Sequence, residues 1–236
     1  MTDLTGVSVA EQKKAPFGSW LSPISASSVA AGALRLSQVA YGADGESLFW
    51  LEGRPQEGGR QVLVKRPGAA GVGHSEHIDI TPAPFNVRST VHEYGGGAYA
   101  VGDCGPQGSK EKSETVIFSN FADQRIYQLA IKDGVPGQPQ AITSAGAMRY
   151  ADYVLDSARN RVLTVVEDHT GIEVEPGLDN IAVEPINYLA SVDLAAGAAN
   201  AQICNEPMML TCGYDFFAFP RMSPDGKRIC YMAWKH

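Results

Sequence analysis

By type and spacing, the residues of this chain best suited to chemistry are His92, Glu93 and Tyr94, which run directly into three glycines, Gly95–Gly97. Glycine permits positive φ and close backbone approach, so this triplet is expected to re-aim the chain and present the preceding side chains at an edge or cavity. A carboxylate beside glycines, at the end of a strand, is suited to holding a cationic group. That group would be the free amino terminus of a substrate or an arginine from another domain. The plain alternative is a glycine-rich bend between two strands with nothing bound.

Other chemistry-bearing clusters fail on spacing. Gly73–His77 (GHSEH) resembles a nucleophile elbow, but G-x-S-x-G needs a glycine two residues after the serine, and position 77 is His. His74 and His77 alone are too few to ligate a metal. Gly95–Gly97 is followed by Ala98-Tyr99 instead of the Lys-Ser/Thr of a phosphate loop. Glu173, Glu175 and Asp179 lack the alternating spacing and central glycine of a calcium loop. Glu167-Asp168-His169 reads as a polar strand end, because neighbouring strand residues point to opposite faces. Asp123 and Arg125 read as a turn with its salt bridge. The residues thus assign no catalytic group, no metal and no cofactor, and leave His92, Glu93 and Tyr94 as the candidate binding site.

Composition narrows the class. The chain has 236 residues, 44% hydrophobic, enough to bury a substantial core. Its formal net charge is −7, and no block of Lys or Arg offers a footprint for a phosphate backbone, so no nucleic-acid partner is expected. No apolar run approaches the roughly 20 residues that cross a bilayer. Met1–Pro16 mixes Asp3, Glu11, Lys13 and Lys14 without an apolar core and reads as a leader, not a secretory signal. Four cysteines (Cys104, Cys204, Cys212, Cys230) stand without a CxxC pair, which suggests free thiols in the cytoplasm.

The elements that must position the site read as short strands. Arg35–Tyr41, a Gly42–Gly45 turn (GADG) and Ser47–Glu52 form a hairpin with an Asp-Gly signal. Gln61–Lys65 and His77–Thr81 complete a set of four. Thr90–Val101, Thr115–Ser119, Arg125–Ala130 and Gln140–Thr143 make a second set. Arg149–Leu155, Arg161–Glu167, Tyr188–Leu194 and Ala201–Cys204 make a third. Phe216–Met222, a Ser223–Gly226 turn and Lys227–Trp234 open a fourth. The apolar residues opening each second strand, Leu48, Val116, Val162 and Ile229, are spaced by 68, 46 and 67 residues. Propeller blades repeat at about 40–50 residues, so the longer intervals require loop insertions. Long helical periodicity is largely missing. The expected fold is all-β, a partial β-propeller of about three four-stranded antiparallel blades plus the start of a fourth, spanning residues 25–236 behind a leader and docking segment, 1–24.

Several stretches, in order, resemble one family: SLFWLEGRPQEGGRQVLVKR (Ser47–Arg66), TPAPFNVRSTVHEYGGGAY (Thr81–Tyr99), FSNFADQRIYQL (Phe118–Leu129), RYADYVLDSARNRVLTVVEDH (Arg149–His169) and GYDFFAFPRMSPDGKRICYMAWKH (Gly213–His236). They are similar to the N-terminal propeller of S9 (prolyl oligopeptidase) serine peptidases, in the acylaminoacyl-peptidase and dipeptidyl-aminopeptidase-like branch. The resemblance implies a propeller that gates a C-terminal α/β-hydrolase domain of the same protein and acts on peptide substrates through the complete enzyme, without a cofactor. It implies that Glu93 lies near the substrate's amino end. The chain itself carries no catalytic triad, so it is expected to be inactive alone. A standalone β-rich module binding protein partners is the other expectation.

Overall fold

The computed structural model describes residues 14–19, 22–68, 77–103, 113–170, 184–194 and 205–236. His74, Ser75, the acidic loop of Glu173, Glu175 and Asp179, the cysteines Cys104 and Cys204, and the expected strand 201–204 lie outside the described residues. The chain divides into two compact units, Met1–Ala33 and Leu34–His236. In the first unit, Ala26–Gly32 forms a seven-residue helix, α1, begun by Ser25, whose side chain accepts from the Ser28 amide. An all-β chain was the expectation; a serine N-cap followed by small residues supplies one short helical segment.

The second unit is built from consecutive antiparallel sheets. β1 (Arg35–Tyr41), β2 (Leu48–Arg54), β3 (Arg60–Arg66) and β4 (Ile78–Asp79) pair in that order. β5 (Tyr99–Gly102), β6 (Ser113–Ser119) and β7 (Ile126–Lys132) follow, with β8 (Val135–Pro136) and β9 (Gln140–Ala141) both pairing with β7. The third sheet runs β10 (Met148–Asp156), β11 (Arg161–Asp168), β12 (Ile186–Asp193) and β13 (Met208–Thr211). β14 (Phe216–Met222) and β15 (Ile229–Trp234) form a two-stranded sheet. The first strands lie side by side, β1 against β5, β5 against β10 and β10 against β14.

The strand expected over Thr90–Val101 shortens to Tyr99–Gly102. His92 and Glu93 adopt φ of 54° and 66°, and this left-handed backbone cannot continue a pleated strand.

Alternation explains the sheet stacking. In β6, Val116 and Phe118 enter one core cluster with Phe49, Leu51 and Leu63, while Ile117 between them enters a second with Ile126, Tyr153 and Val162. In β12, Tyr188, Ala190 and Val192 belong to that second cluster, and Leu189 turns to a third with Val91, Val165 and Phe217. Successive strand residues point to opposite faces, so a sheet with neighbours on both sides needs apolar residues at every position. That is why VIF (116–118) is continuously apolar and VLTVV (162–166) nearly so, its one hydroxyl, Thr164, donating to the Ala151 carbonyl at 2.8 Å.

Polar anchors fix the edges of these sheets. Lys65 pairs with Glu114 across the first two, and the fully buried Asp156 carboxylate takes Arg161 at 2.9 Å and Arg159 at 3.0 Å. Asp123 accepts the Tyr127 hydroxyl at 2.7 Å, while Arg125 Nε donates to the Thr143 carbonyl at 2.7 Å.

Both Asp-Gly turns share one design. Asp44 Oδ1 accepts the amides of Glu46 and Ser47, and Gly45 takes φ +70°. Asp225 Oδ1 accepts the Lys227 amide, and Gly226 takes φ +67°. Partial burial pushes the Asp44 carboxyl up, but hydrogen bonds from Ser47 and Glu46 outweigh it and hold it at about 2, against an ordinary 3.8. A carboxyl depressed on folding stabilises the fold above its ordinary pKa, and that contribution fades as pH falls from about 4 towards 2. Asp44 is solvent-exposed, so screening limits the effect to about 1 kcal/mol. Asp44→Asn is expected to lower urea-unfolding stability at pH 7 by about that amount and by much less at pH 2. An equal loss at both pH values would show that the carboxylate charge is not what the turn uses.

Candidate functional site

The turn bearing His92, Glu93 and Tyr94 is held by the Glu93 amide on the Thr90 carbonyl at 2.9 Å and the Gly95 amide on the Val91 carbonyl at 2.8 Å. Two consecutive left-handed non-glycine residues cost about 1–2 kcal/mol each, so they persist only where their surroundings compel them. The compulsion comes from the third sheet. The His92 amide donates to Glu167 Oε1 at 3.2 Å, and Glu93 Oε1 accepts Arg149 Nη1 at 2.6 Å. The same Arg149 nitrogen donates to the Thr90 carbonyl at 3.1 Å and reaches Glu167 Oε2 at 3.4 Å.

One guanidinium thus joins two carboxylates in different surroundings. The Glu167 side chain is 4% exposed and that of Glu93 is 79% exposed. The Arg149 hydrogen bond holds the Glu93 carboxyl below the usual carboxylate range, so it is ionised at neutral pH. Glu93 Oε2 accepts no hydrogen bond among the described residues, and the side chain that carries it is largely exposed. Among the described residues the arginine that meets Glu93 is Arg149 of β10. His169 Nε2 lies 3.1 Å from Glu167 Oε2, at ion-pair distance but off the line a hydrogen bond needs. Residues 167 and 169 share one strand face, an i, i+2 relation that adjacent-residue reasoning over 167–169 overlooks.

The His92 ring packs among aromatics, 5.1 Å from Phe216, 6.3 Å from Trp234 and 5.9 Å from Tyr94. Its Nε2 is buried without a hydrogen-bond partner among the described residues. The three expected site residues therefore separate in role: Glu93 is an exposed, ion-paired carboxylate, Tyr94 an exposed ring, and His92 a ring wedged against the fourth sheet.

The glycines serve a second purpose. The Asp152 amide donates to the Gly97 carbonyl at 2.8 Å, and Asp152 Oδ1 accepts the Gly97 amide at 2.6 Å. A Cβ on Gly97 would lie 2.8 Å from Asp152 Oδ1, and one on Gly96 2.9 Å from the Ala151 Cβ. Asp152 Oδ2 accepts the Phe219 amide at 3.0 Å, so one carboxylate bridges the glycine segment and the fourth sheet. From the other side, Gln38 Nε2 donates to the Gly96 carbonyl and its Oε1 accepts the Ala98 amide. Gln38, Asp152 and Phe219 all take positive φ, each at a bulge where its first strand shifts register. The bulges turn these residues away from the ladder and towards the neighbouring sheet.

The site offers binding chemistry and no nucleophile. Ser119, buried nearby, hydrogen bonds the Tyr150 carbonyl and the Tyr153 hydroxyl. Among the described residues no three His, Cys, Asp or Glu side chains converge in a way that would hold a metal ion.

No family model and no curated protein matches the chain. Solved structures do. The chain is similar to a puromycin hydrolase, with 32% identity, a TM-score of 0.73, and coverage of 95% of this chain and 32% of that one. It is also similar to a puromycin-hydrolyzing peptidase from Mycobacterium tuberculosis, at 30% identity and a TM-score of 0.71, covering 95% of this chain and 31% of that one. The chain spans about a third of the length of these enzymes.

Two stability measurements check the geometry. Gly97→Ala is expected to cost about 2–4 kcal/mol in urea unfolding, whereas Gly134→Ala, at φ +79° with open space around it, costs about 1 kcal/mol. Equal losses would show that Asp152 yields to the added methyl. Arg149→Met is expected to cost about 3 kcal/mol, because it strands the buried Glu167 carboxylate, while Glu93→Gln leaves stability unchanged. The reverse order would make Glu93 a structural residue.

Proposed function

We propose that this chain is the N-terminal β-propeller portion of an S9-type serine peptidase, of the acylaminoacyl-peptidase and dipeptidyl-aminopeptidase-like branch. The observation that carries this is the likeness of nearly the whole chain, at 32% identity, to about a third of a puromycin hydrolase. The architecture supports it: antiparallel sheets of four, five, four and two strands, with the first strand of each beside that of the next, are the arrangement that propeller blades would give. About three blades and the opening hairpin of a fourth account for the strands. The triad then belongs to an α/β-hydrolase domain elsewhere in the same protein, and the propeller gates and shapes the cavity between the two. The protein works in the cytoplasm on short peptides.

In this role Glu93 holds the substrate's amino terminus. Its carboxylate is ionised, its Oε2 is open to water, and a second donor there completes the charge balance that Arg149 begins. The amino group replaces water at one oxygen while Arg149 keeps the other in place.

The test uses the longer protein with its hydrolase domain. It is expected to hydrolyse puromycin and aminoacyl anilides, while the 236-residue chain alone does not. Glu93→Gln is expected to raise KM for peptides with a free amino terminus about 3- to 10-fold, with kcat within about twofold and N-acetylated peptides unaffected. An unchanged KM would remove Glu93 from substrate binding; a longer protein without hydrolytic activity would remove the peptidase assignment.

A further inference from the structure

Beside the His92 turn the structure leaves a half-open cavity of about 500 Å³, within the range of about 300–1,000 Å³ of small-molecule sites. Tyr94, Phe219 and Trp234 contribute rings to its wall while remaining 79, 55 and 37% exposed. Aromatic faces held open towards one hollow forgo the stabilisation of burial unless something covers them.

Arg221 is the cation of the wall. Its Nη1 donates to the Pro220 carbonyl at 2.7 Å, and among the described residues no carboxylate pairs with it. The nearby acids are already committed: Asp152 accepts the amides of Gly97 and Phe219, and Glu93 accepts Arg149. His92, also in the wall, adds a buried Nε2 with no partner among the described residues.

An open aromatic wall beside an uncommitted guanidinium selects a flat apolar group joined to an anion. The planar fork of arginine matches a carboxylate with two parallel hydrogen bonds. We infer that this cavity binds the carboxyl-terminal end of a short peptide ending in Phe, Tyr or Trp, with the carboxylate on Arg221 and the ring against Phe219 and Trp234. That the ligand is a peptide rests on the peptidase role proposed above; the pairing of ring and carboxylate rests on the cavity alone. Glu93 and Arg221 then read opposite ends of short peptides from two neighbouring positions.

The test is calorimetric titration of the 236-residue chain with N-acetylphenylalanine, its amide and N-acetylalanine. The aromatic acid is expected to bind about tenfold more tightly than the amide, from one charge-assisted contact in a half-open site. Arg221→Gln is expected to abolish that preference while leaving amide binding intact, and Arg221→Lys to restore only part of it. Phe219→Ala is expected to weaken acid and amide alike, several-fold. Equal binding of acid and amide by the unaltered chain overturns the inference. So does acid binding that Arg221→Gln leaves untouched, and so does no binding by a chain that still melts cooperatively. Should the isolated chain aggregate, the ratio of KM for peptides ending in Phe carboxylate and Phe amide, measured in the longer protein, decides; a ratio near one overturns it. A longer protein that binds the acid over the amide but hydrolyses no peptide would end the peptidase assignment and leave this site standing.

Discussion

The arrangement of sheets around the candidate site depends on one carboxylate. Asp152 stands at a bulge of β10, where left-handed backbone turns it out of its own ladder. It accepts the Gly97 amide with one oxygen and the Phe219 amide with the other. Charged acceptors form the stronger hydrogen bonds, and this one replaces the ladder pairing that adjacent sheets cannot offer each other. Gln38 performs the neutral version of the same task at the preceding seam. The glycine triplet is therefore a receiving surface for neighbouring side chains as much as a bend.

The candidate site lies beside that clamp. Beside the pinned Gly95–Gly97 segment, the turn takes left-handed backbone at His92 and Glu93, where the His92 amide reaches Glu167 and Arg149 holds Glu93 and Glu167 together. The buried member of this triad secures the turn, and the exposed member stays ionised and reachable. Strain, ion pairing and accessibility converge on one side chain, as at sites where a rigid scaffold presents a group to a ligand. The same turn places Tyr94 and His92 beside Arg221 and Trp234, so the cavity and the carboxylate share their walls.

The outer faces of the stack carry another constraint. β1 exposes Leu36, Val39 and Tyr41, and β15 exposes Ile229 and Tyr231, whereas the inner sheets bury Leu, Val, Ile and Tyr. Sheets whose every position is apolar need neighbours on both sides to satisfy their hydrophobic surface.

Much of this was legible in the sequence, because the signals were local. Strand alternation, the Asp-Gly turns at Asp44 and Asp225 and the glycine triplet are set by neighbouring residues and backbone sterics, and they located the sheets and singled out His92, Glu93 and Tyr94. The short helix at Ala26–Gly32 and the shortening of the strand before Tyr99 were not legible; the second results from contacts made 75 residues away, between His92 and Glu167. The sequence marks Glu93 as a carboxylate beside glycines but holds no trace of Arg149 as its partner. Nor does it show that Gly97 needs its missing side chain to admit Asp152. Local chemistry determined which elements form; only the packing of sheet on sheet decided which charges meet, because Coulombic and hydrogen-bond partners are chosen by distance in space and not along the chain.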